Sequence, residues 1–169
     1  MADPFRRILV PHDFSDPANY ALGVAADLAA RHGGSLLVLH VLAPFYTGVG
    51  FPTREEIAWV PPPELLTSLR KRLEELVAKR VGARGGARVR CRVVMGDPLQ
   101  CIVEAARGVD SIVMATTGRT GLAHLLVGSV AEKVVRHAAV PVLTVRAPKR
   151  RASKAGRAAR AKRRASRAR

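Results

Sequence analysis

At 169 residues the chain has the length of one domain with room for a sizeable core, and at 48% hydrophobic residues it is not a globally disordered polymer. No run approaches the ~18 apolar residues of a membrane span, and Met1 to Arg7 lead straight into a strand-length apolar run with no signal-peptide core, so a cytoplasmic protein is expected. The net charge of +16 is uneven: residues 149–169 hold eleven Lys or Arg and no acid, which leaves 18 basic against 13 acidic groups, a net +5, in residues 1–148.

Ile8-Leu9-Val10 predicts a first buried strand that ends at Pro11. Ser15 or Asp16 then caps a helix, with Pro17 tolerated in its first turn. Ala21, Leu22, Ala25, Leu28 and Ala29 recur at helical spacing, and their mostly small side chains suit close packing on a sheet; Gly33-Gly34 stops the helix. Ser35 to Leu42 is a second, nearly unbroken apolar strand. His40 within it reads as a satisfied core residue, because no second His or acid stands at a ligand spacing from it.

Residues 43–63 carry five prolines with Phe45, Tyr46, Phe51 and Trp59, an irregular stretch that either folds over a ligand or is pinned on the surface by its own aromatics. Glu64 to Arg80 is amphipathic, with Leu65, Leu69, Leu73, Leu76 and Val77 in one stripe and charges mostly off it; Gly82, Gly85 and Gly86 end it. Ala87 to Val94 alternates strictly. Val89, Cys91 and Val93 point one way, and Arg88, Arg90 and Arg92 the other, as in a charge-guarded edge strand; three arginines on one face could also grip phosphates. Gly96-Asp97-Pro98 opens a third helix, with Asp97 as cap. Val109 to Thr116 is a further buried strand, Gly128 to His137 a last helix with Arg136 and His137 at its C-terminal end, and Pro141 to Arg146 a last strand of edge type. Cys91 and Cys101 fit no metal spacing and are expected to be buried thiols.

The alternation of strand and helix predicts a doubly wound parallel α/β sheet of five strands with helices on both faces. Strands one, two and four are continuously apolar and belong in the middle; strands three and five belong at the edges. The order 3-2-1-4-5 satisfies both. It places strands one and four side by side where the winding reverses, the point beyond whose carboxyl ends ligands bind in such sheets. Asp13 follows strand one and Gly118 follows strand four.

The chemistry is densest from Ile112 to Glu132. A buried strand gives way to a stretch with Gly118 and Gly121, then to Gly128 and to Ser129-Val130-Ala131-Glu132, the pattern of a capping box at a helix start. Glycines that let backbone N–H groups approach an anion, followed by a helix N-terminus, suit a phosphate; a plain turn and a plain cap would use the same residues. Neither Gly-x-x-x-x-Gly-Lys-Ser/Thr nor Gly-x-Gly-x-x-Gly occurs.

Val10-Pro11-His12-Asp13-Phe14-Ser15 together with Ala115 to Val145 resembles the universal stress protein family, over about residues 4 to 147. Its nucleotide-binding members carry Gly-x2-Gly-x9-Gly-Ser/Thr; here Ala115, Gly118, Gly128 and Ser129 stand at those places, alanine replacing the first glycine. The resemblance implies an adenine nucleotide alpha hydrolase-like fold over residues 1–147 and ATP, with or without Mg2+, as ligand. It implies that Pro11 and Asp13 border the nucleoside and that Val41 offers backbone groups to adenine. Ala115, Gly118, Arg119, Gly128, Ser129 and Val130 would surround the phosphates, where Arg119 is either a phosphate partner or a solvated loop arginine. It also points to a homodimer through the last strand, whose Val142 to Val145 edge is apolar and poorly guarded.

No lysine stands in a phosphate loop and no paired acids stand at a metal spacing, so a stress-response binding and regulatory module is expected, with at most very slow ATP hydrolysis. Residues 148–169 read as a disordered basic tail with no apolar side chain larger than alanine apart from its leading proline. Lys149, Arg150, Arg151, Lys154, Arg157, Arg160, Lys162, Arg163 and Arg164 would hold DNA or RNA through phosphates without reading sequence, giving nucleoid association; acidic protein or anionic lipid would suit the same charges. The competing reading is a dimeric nucleic-acid-associated stress protein that binds no ATP.

Overall fold

The structure, a computed structural model, describes residues 3–43, 61–82, 87–116 and 128–148. Nine elements alternate along these segments: β1 (Arg7–Pro11), α1 (Asp16–Arg31), β2 (Ser35–Leu42), α2 (Pro63–Val81), β3 (Arg88–Met95), α3 (Pro98–Ala106), β4 (Ser111–Ala115), α4 (Ser129–His137) and β5 (Val142–Val145). The strands form one sheet in the order β3-β2-β1-β4-β5, every pair parallel. This is the order expected from the sequence, and its reversal lies between β1 and β4.

The sheet is buried on both faces at its centre, which is why β1 and β4 are uninterrupted apolar runs. Successive residues of β1 serve opposite layers. Ile8 and Val10 join Leu22, Ala25, Ala29, Val38, Leu73 and Val77 under α1 and α2. Leu9 joins Leu39, Ile102, Ile112, Met114, Ala131 and Val134 under α3 and α4. Each fully buried Ile, Leu or Val side chain among them contributes roughly 2 kcal/mol. At the edge, β3 keeps Arg88, Arg90 and Arg92 exposed while Val89, Cys91 and Val93 lean on the first layer. β5 is half-exposed, with Leu143 open at the other edge.

Helix α1 is positioned at both ends by its own sequence. Ser15 caps it, its hydroxyl accepting the amide of Ala18 at 3.2 Å. At the other end Gly33 takes φ +59, and Gly34 N–H returns to the carbonyl of Ala29 at 2.7 Å, the long-range bond of a Schellman turn. Gly34 has no room for a side chain: a Cβ there would run into the carbonyl of Phe5. The inner face of α1 is alanine and glycine with one leucine, so its backbone lies close to the sheet. In α3 Asp97 is the cap, accepting Gln100 N–H at 2.9 Å, with Pro98 in the first turn.

Three expectations need correction. Ser129 does not cap α4: Gly128 holds the cap position, no side chain caps the helix, and Glu132 pairs with Arg136 at 2.9 Å instead of reaching back. Leu65, Leu69 and Leu76 of the α2 stripe are only half-buried, the buried contacts being Leu73, Val77 and Val81. Cys91 and Cys101 are free but half-buried rather than buried, because Cys91 lies on an edge strand and Cys101, in the first turns of α3, packs beside Gly96 of the turn before it. Residues 44–60 and the basic tail from Lys149 onward lie outside the described residues.

Candidate functional site

A cleft of about 320 Å³ opens beyond the carboxyl ends of β1 and β4, where the winding reverses. Pro11 and Asp13 come from the end of β1, Val41 from β2, Ala115 from β4, and Gly128, Ser129 and Val130 from the start of α4. Those are seven of the nine nucleotide-site residues expected from the sequence. Gly118 and Arg119 lie outside the described residues. The walls are mainly apolar: Leu39 and Val41 on one side, Ile102 of α3 and Met114 of β4 beneath. Such a surface suits a flat, weakly polar ring, with a few polar groups to orient it.

The turn between β1 and α1 is held by a set of hydrogen bonds. His12 N–H donates to the carbonyl of Leu39 at 2.8 Å. The His12 carbonyl in turn accepts from Nδ1 of buried His40 at 2.7 Å, which makes His40 the core residue expected. Phe14 N–H donates to His12 Nδ1 at 3.1 Å, and Ser15 N–H donates to Asp13 Oδ1 at 3.1 Å. Asp13 is therefore oriented by an Asx turn at the cleft mouth. Phe14 sits at φ +64, a left-handed conformation rare for a residue of its bulk.

His12 is 3% exposed, and burial pushes its pKa down to about 4 against the opposing pull of nearby Asp13. Its Nδ1 accepts from Phe14, so the neutral ring carries its proton on Nε2. Nε2 and the neighbouring Asn19 Oδ1 are both buried without a hydrogen-bond partner among the described residues; Asn19 is near enough to favour the charged ring, yet the pair misses hydrogen-bonding geometry.

On the far side of the cleft, α4 is preceded by Gly128 as its cap residue, with φ −69 and ψ 151, and among the described residues no side chain caps it, so its first N–H groups are open to a ligand or solvent there. Gly128 N–H itself is tied to the carbonyl of Thr116, and Thr116 N–H to that of Val145 at 3.0 Å, which locks the mouth of β4 to β5. Thr116 Oγ1 is buried at the cleft wall with no hydrogen-bond partner among the described residues. Sequence reasoning passed over His12 and Thr116 as site residues, although each lies inside a stretch it singled out, between Pro11 and Asp13 and between Ala115 and Gly118. The arrangement can seat a planar ring, accept from a ligand hydroxyl or amine at Asp13, and face an anion with a helix N-terminus. Among the described residues no group of three or more His, Cys, Asp or Glu could hold a metal ion, and no helix is long and apolar enough to cross a membrane.

Known proteins carry the same plan. A universal stress protein of Methanocaldococcus jannaschii is 35% identical over 153 residues, covering 86% of this chain and 85% of its own. One from Thermus aquaticus is 36% identical over 144 residues, with 84% and 99% covered. Among solved structures, the Methanocaldococcus jannaschii protein MJ0577 superposes with a TM-score of 0.67 at 30% identity, with 87% of this chain and 99% of that one covered. A universal stress protein from Archaeoglobus fulgidus, solved in complex with dAMP, gives 0.53 at 25% identity, with 82% and 95% covered. The sequence profile of the universal stress protein family matches residues 4–146, and with these relatives it establishes that the chain belongs to that family.

Proposed function

We propose that this chain is an adenine-nucleotide-binding universal stress protein, with ATP as its ligand, acting as a regulatory binding module rather than an enzyme. The observation that carries the reading is the meeting of Asp13, Val41 and the uncapped start of α4 around one apolar-walled cleft at the sheet reversal. The dAMP complex of the Archaeoglobus fulgidus relative supports an adenine ligand. Adenine lies against Val41 and Pro11, and Asp13 accepts from ribose or the exocyclic amine. The phosphates run along Gly128, Ser129 and Val130, and the motif adds Gly118 and Arg119, outside the described residues, as further phosphate partners. Thr116 Oγ1, without a partner among the described residues, donates its hydroxyl proton to a ligand oxygen. The methyl of Ala115 leaves the first motif position small enough for this. Mg2+, where it accompanies ATP, is held by the phosphates, since no acidic cluster among the described residues would replace them.

Two further assignments complete the reading. The half-exposed edge of β5 pairs antiparallel with its copy in a homodimer, covering Leu143. The tail, with eleven cations on residues 149–169, holds nucleic-acid phosphates and brings this cytoplasmic protein to the nucleoid. The test of the central claim is titration calorimetry of the full chain with ATP, GTP and dAMP, read beside melting curves. Binding of adenine nucleotides over GTP, with a matching rise in melting temperature, is expected. Gly118→Val should abolish the ATP heat without unfolding the protein. Absence of heat and of any thermal shift with adenine nucleotides would refute it and favour the alternative, a nucleic-acid-associated dimer without ATP.

A further inference from the structure

The turn that carries Asp13 holds a side-chain assembly that reaches away from the cleft. Phe14, the residue after Asp13, stands at φ +64. Its N–H is held by His12 Nδ1 at 3.1 Å, and its ring meets the His12 ring edge-on at 5.7 Å and the His40 ring at 4.5 Å. From α2 the guanidinium of Arg72 lies over the same ring, 4.7 Å from its centroid. A bulky residue persists in the left-handed region only where its surroundings over-determine it, and such strain gathers at functional sites. Here the surroundings are two imidazoles, a cation and a hydrogen bond donated to the residue two places earlier. That last contact has the i to i+2 geometry by which Asp and Asn make Asx turns, and Asp13 makes the same contact to Ser15 one residue on.

We propose that His12 and Arg72 are positioning residues of the nucleotide cleft: His12 fixes Phe14 in its left-handed turn, Arg72 clamps the ring from α2, and together they set the direction in which Asp13 meets the ligand. This rests on the nucleotide reading of the cleft. Arg72 lies outside the cleft lining; His12 lies in it, with Nδ1 engaged by Phe14 N–H. Helix α2 thereby gains a route to the site, since a movement that lifts Arg72 off Phe14 releases the turn bearing Asp13. Rigidity at this turn is what a carboxylate needs to recognise a hydroxyl or amine without first being ordered.

The test uses the full chain with His12→Leu, His12→Asn and Arg72→Met, read by ATP affinity and by hydrogen exchange of the Phe14 amide without ligand. Asparagine can accept Phe14 N–H from the same place two residues back, so His12→Asn should keep the amide slow to exchange and affinity within a few-fold of the unmodified protein. His12→Leu has no acceptor; its Phe14 amide should exchange freely and ATP should bind on the order of tenfold more weakly, the loss of about one net hydrogen bond. Arg72→Met, an exposed change that need not unfold the chain, should weaken binding two- to fivefold. An unchanged Phe14 amide in His12→Leu, or failure of asparagine to restore both readouts, overturns the inference while leaving nucleotide binding intact. If His12→Leu does not fold, unchanged affinity in Arg72→Met together with lost affinity in His12→Asn overturns it. The exchange readout needs no nucleotide, so a chain that binds none, and thereby defeats the parent reading, is told apart from one whose turn is simply not held by His12.

Discussion

Acid should destabilise this protein through one buried ring, and substituting His12 by asparagine should remove that sensitivity. Burial holds His12 at a pKa of about 4, below its ordinary 6.5; nearby Asp13 and Asn19 oppose the shift, while His40 and Arg80 add to it. The unfolded chain takes up a proton near pH 6.5 and the folded chain does not until about 4, so the unfolded state binds more protons across that window. Stability is then fully present above about pH 6.5 and is lost as pH falls towards 4. Linkage with these two values gives a loss of about 2 kcal/mol between pH 7 and pH 5. The assay is urea unfolding of the unmodified protein and His12→Asn at both pH values, with equal slopes as the check on comparability. Every group other than His12 is common to both proteins, so the comparison isolates the ring. Asp3, held below the usual carboxylate range chiefly by the Phe5 amide, and Asp110, held there by Arg7, change charge below this window. The unmodified protein should lose about 2 kcal/mol more than the asparagine variant. Parallel losses would mean that His12 is not kept neutral by burial, and the reasoning would fail.

Leu73 is fully buried between α2 and the sheet, so Leu73→Ala should cost about 2–5 kcal/mol in urea unfolding; a cost under 1 would mean that α2 is not docked as described. Leu143→Glu on the β5 edge should shift sedimentation from dimer to monomer at micromolar concentration without loss of fold, and a monomeric unmodified chain would dispose of the strand-pairing proposal. Truncation after Pro148 should abolish DNA binding and leave ATP binding intact. If about six tail cations meet phosphates, log K should fall against log salt with a slope near −5, equally on unrelated duplexes; full binding by the truncated form would remove the tail from the account.

Much of the architecture could be read from residue patterns because burial on two faces leaves a direct trace. Ile8-Leu9-Val10 and Ile112-Val113-Met114 are unbroken because each face meets a helix layer. Arg88, Arg90 and Arg92 alternate because β3 has one face under α2 and the other open. Those contrasts order the strands and thereby place the cleft. Ser129 misled because Ser-x-x-Glu states which cap is available, not which is used; Gly128 takes the cap position and Glu132 turns to Arg136. The two cysteines were misjudged because apolar periodicity does not distinguish the rim of a layer from its middle. Phe14 carries no sequence signal for a positive φ, since its conformation is imposed by His12 in its own turn, His40 on β2 and Arg72 on α2. The roles of Gly118 and Arg119 still rest on the motif alone.

The pairing of β1 with β4 has a consequence for how the chain reaches this structure. Arg7 and Asp110, joined at 2.6 Å beside that pairing, are 103 residues apart in sequence. A growing chain can lay β2 against β1 early, and β3 against β2, since each needs only the preceding helix to fold back. The inner edge of β1 must wait, unpaired and apolar, until β4 has been made. During that interval the half-built sheet exposes Leu9 together with a row of open backbone groups, a surface that other chains can join. Closing so long a loop is slow, and its contacts come late. Half of the cleft belongs to β4 and α4, so an adenine nucleotide would find nothing to bind during assembly and would act only afterwards, slowing the reopening of the last seam to close.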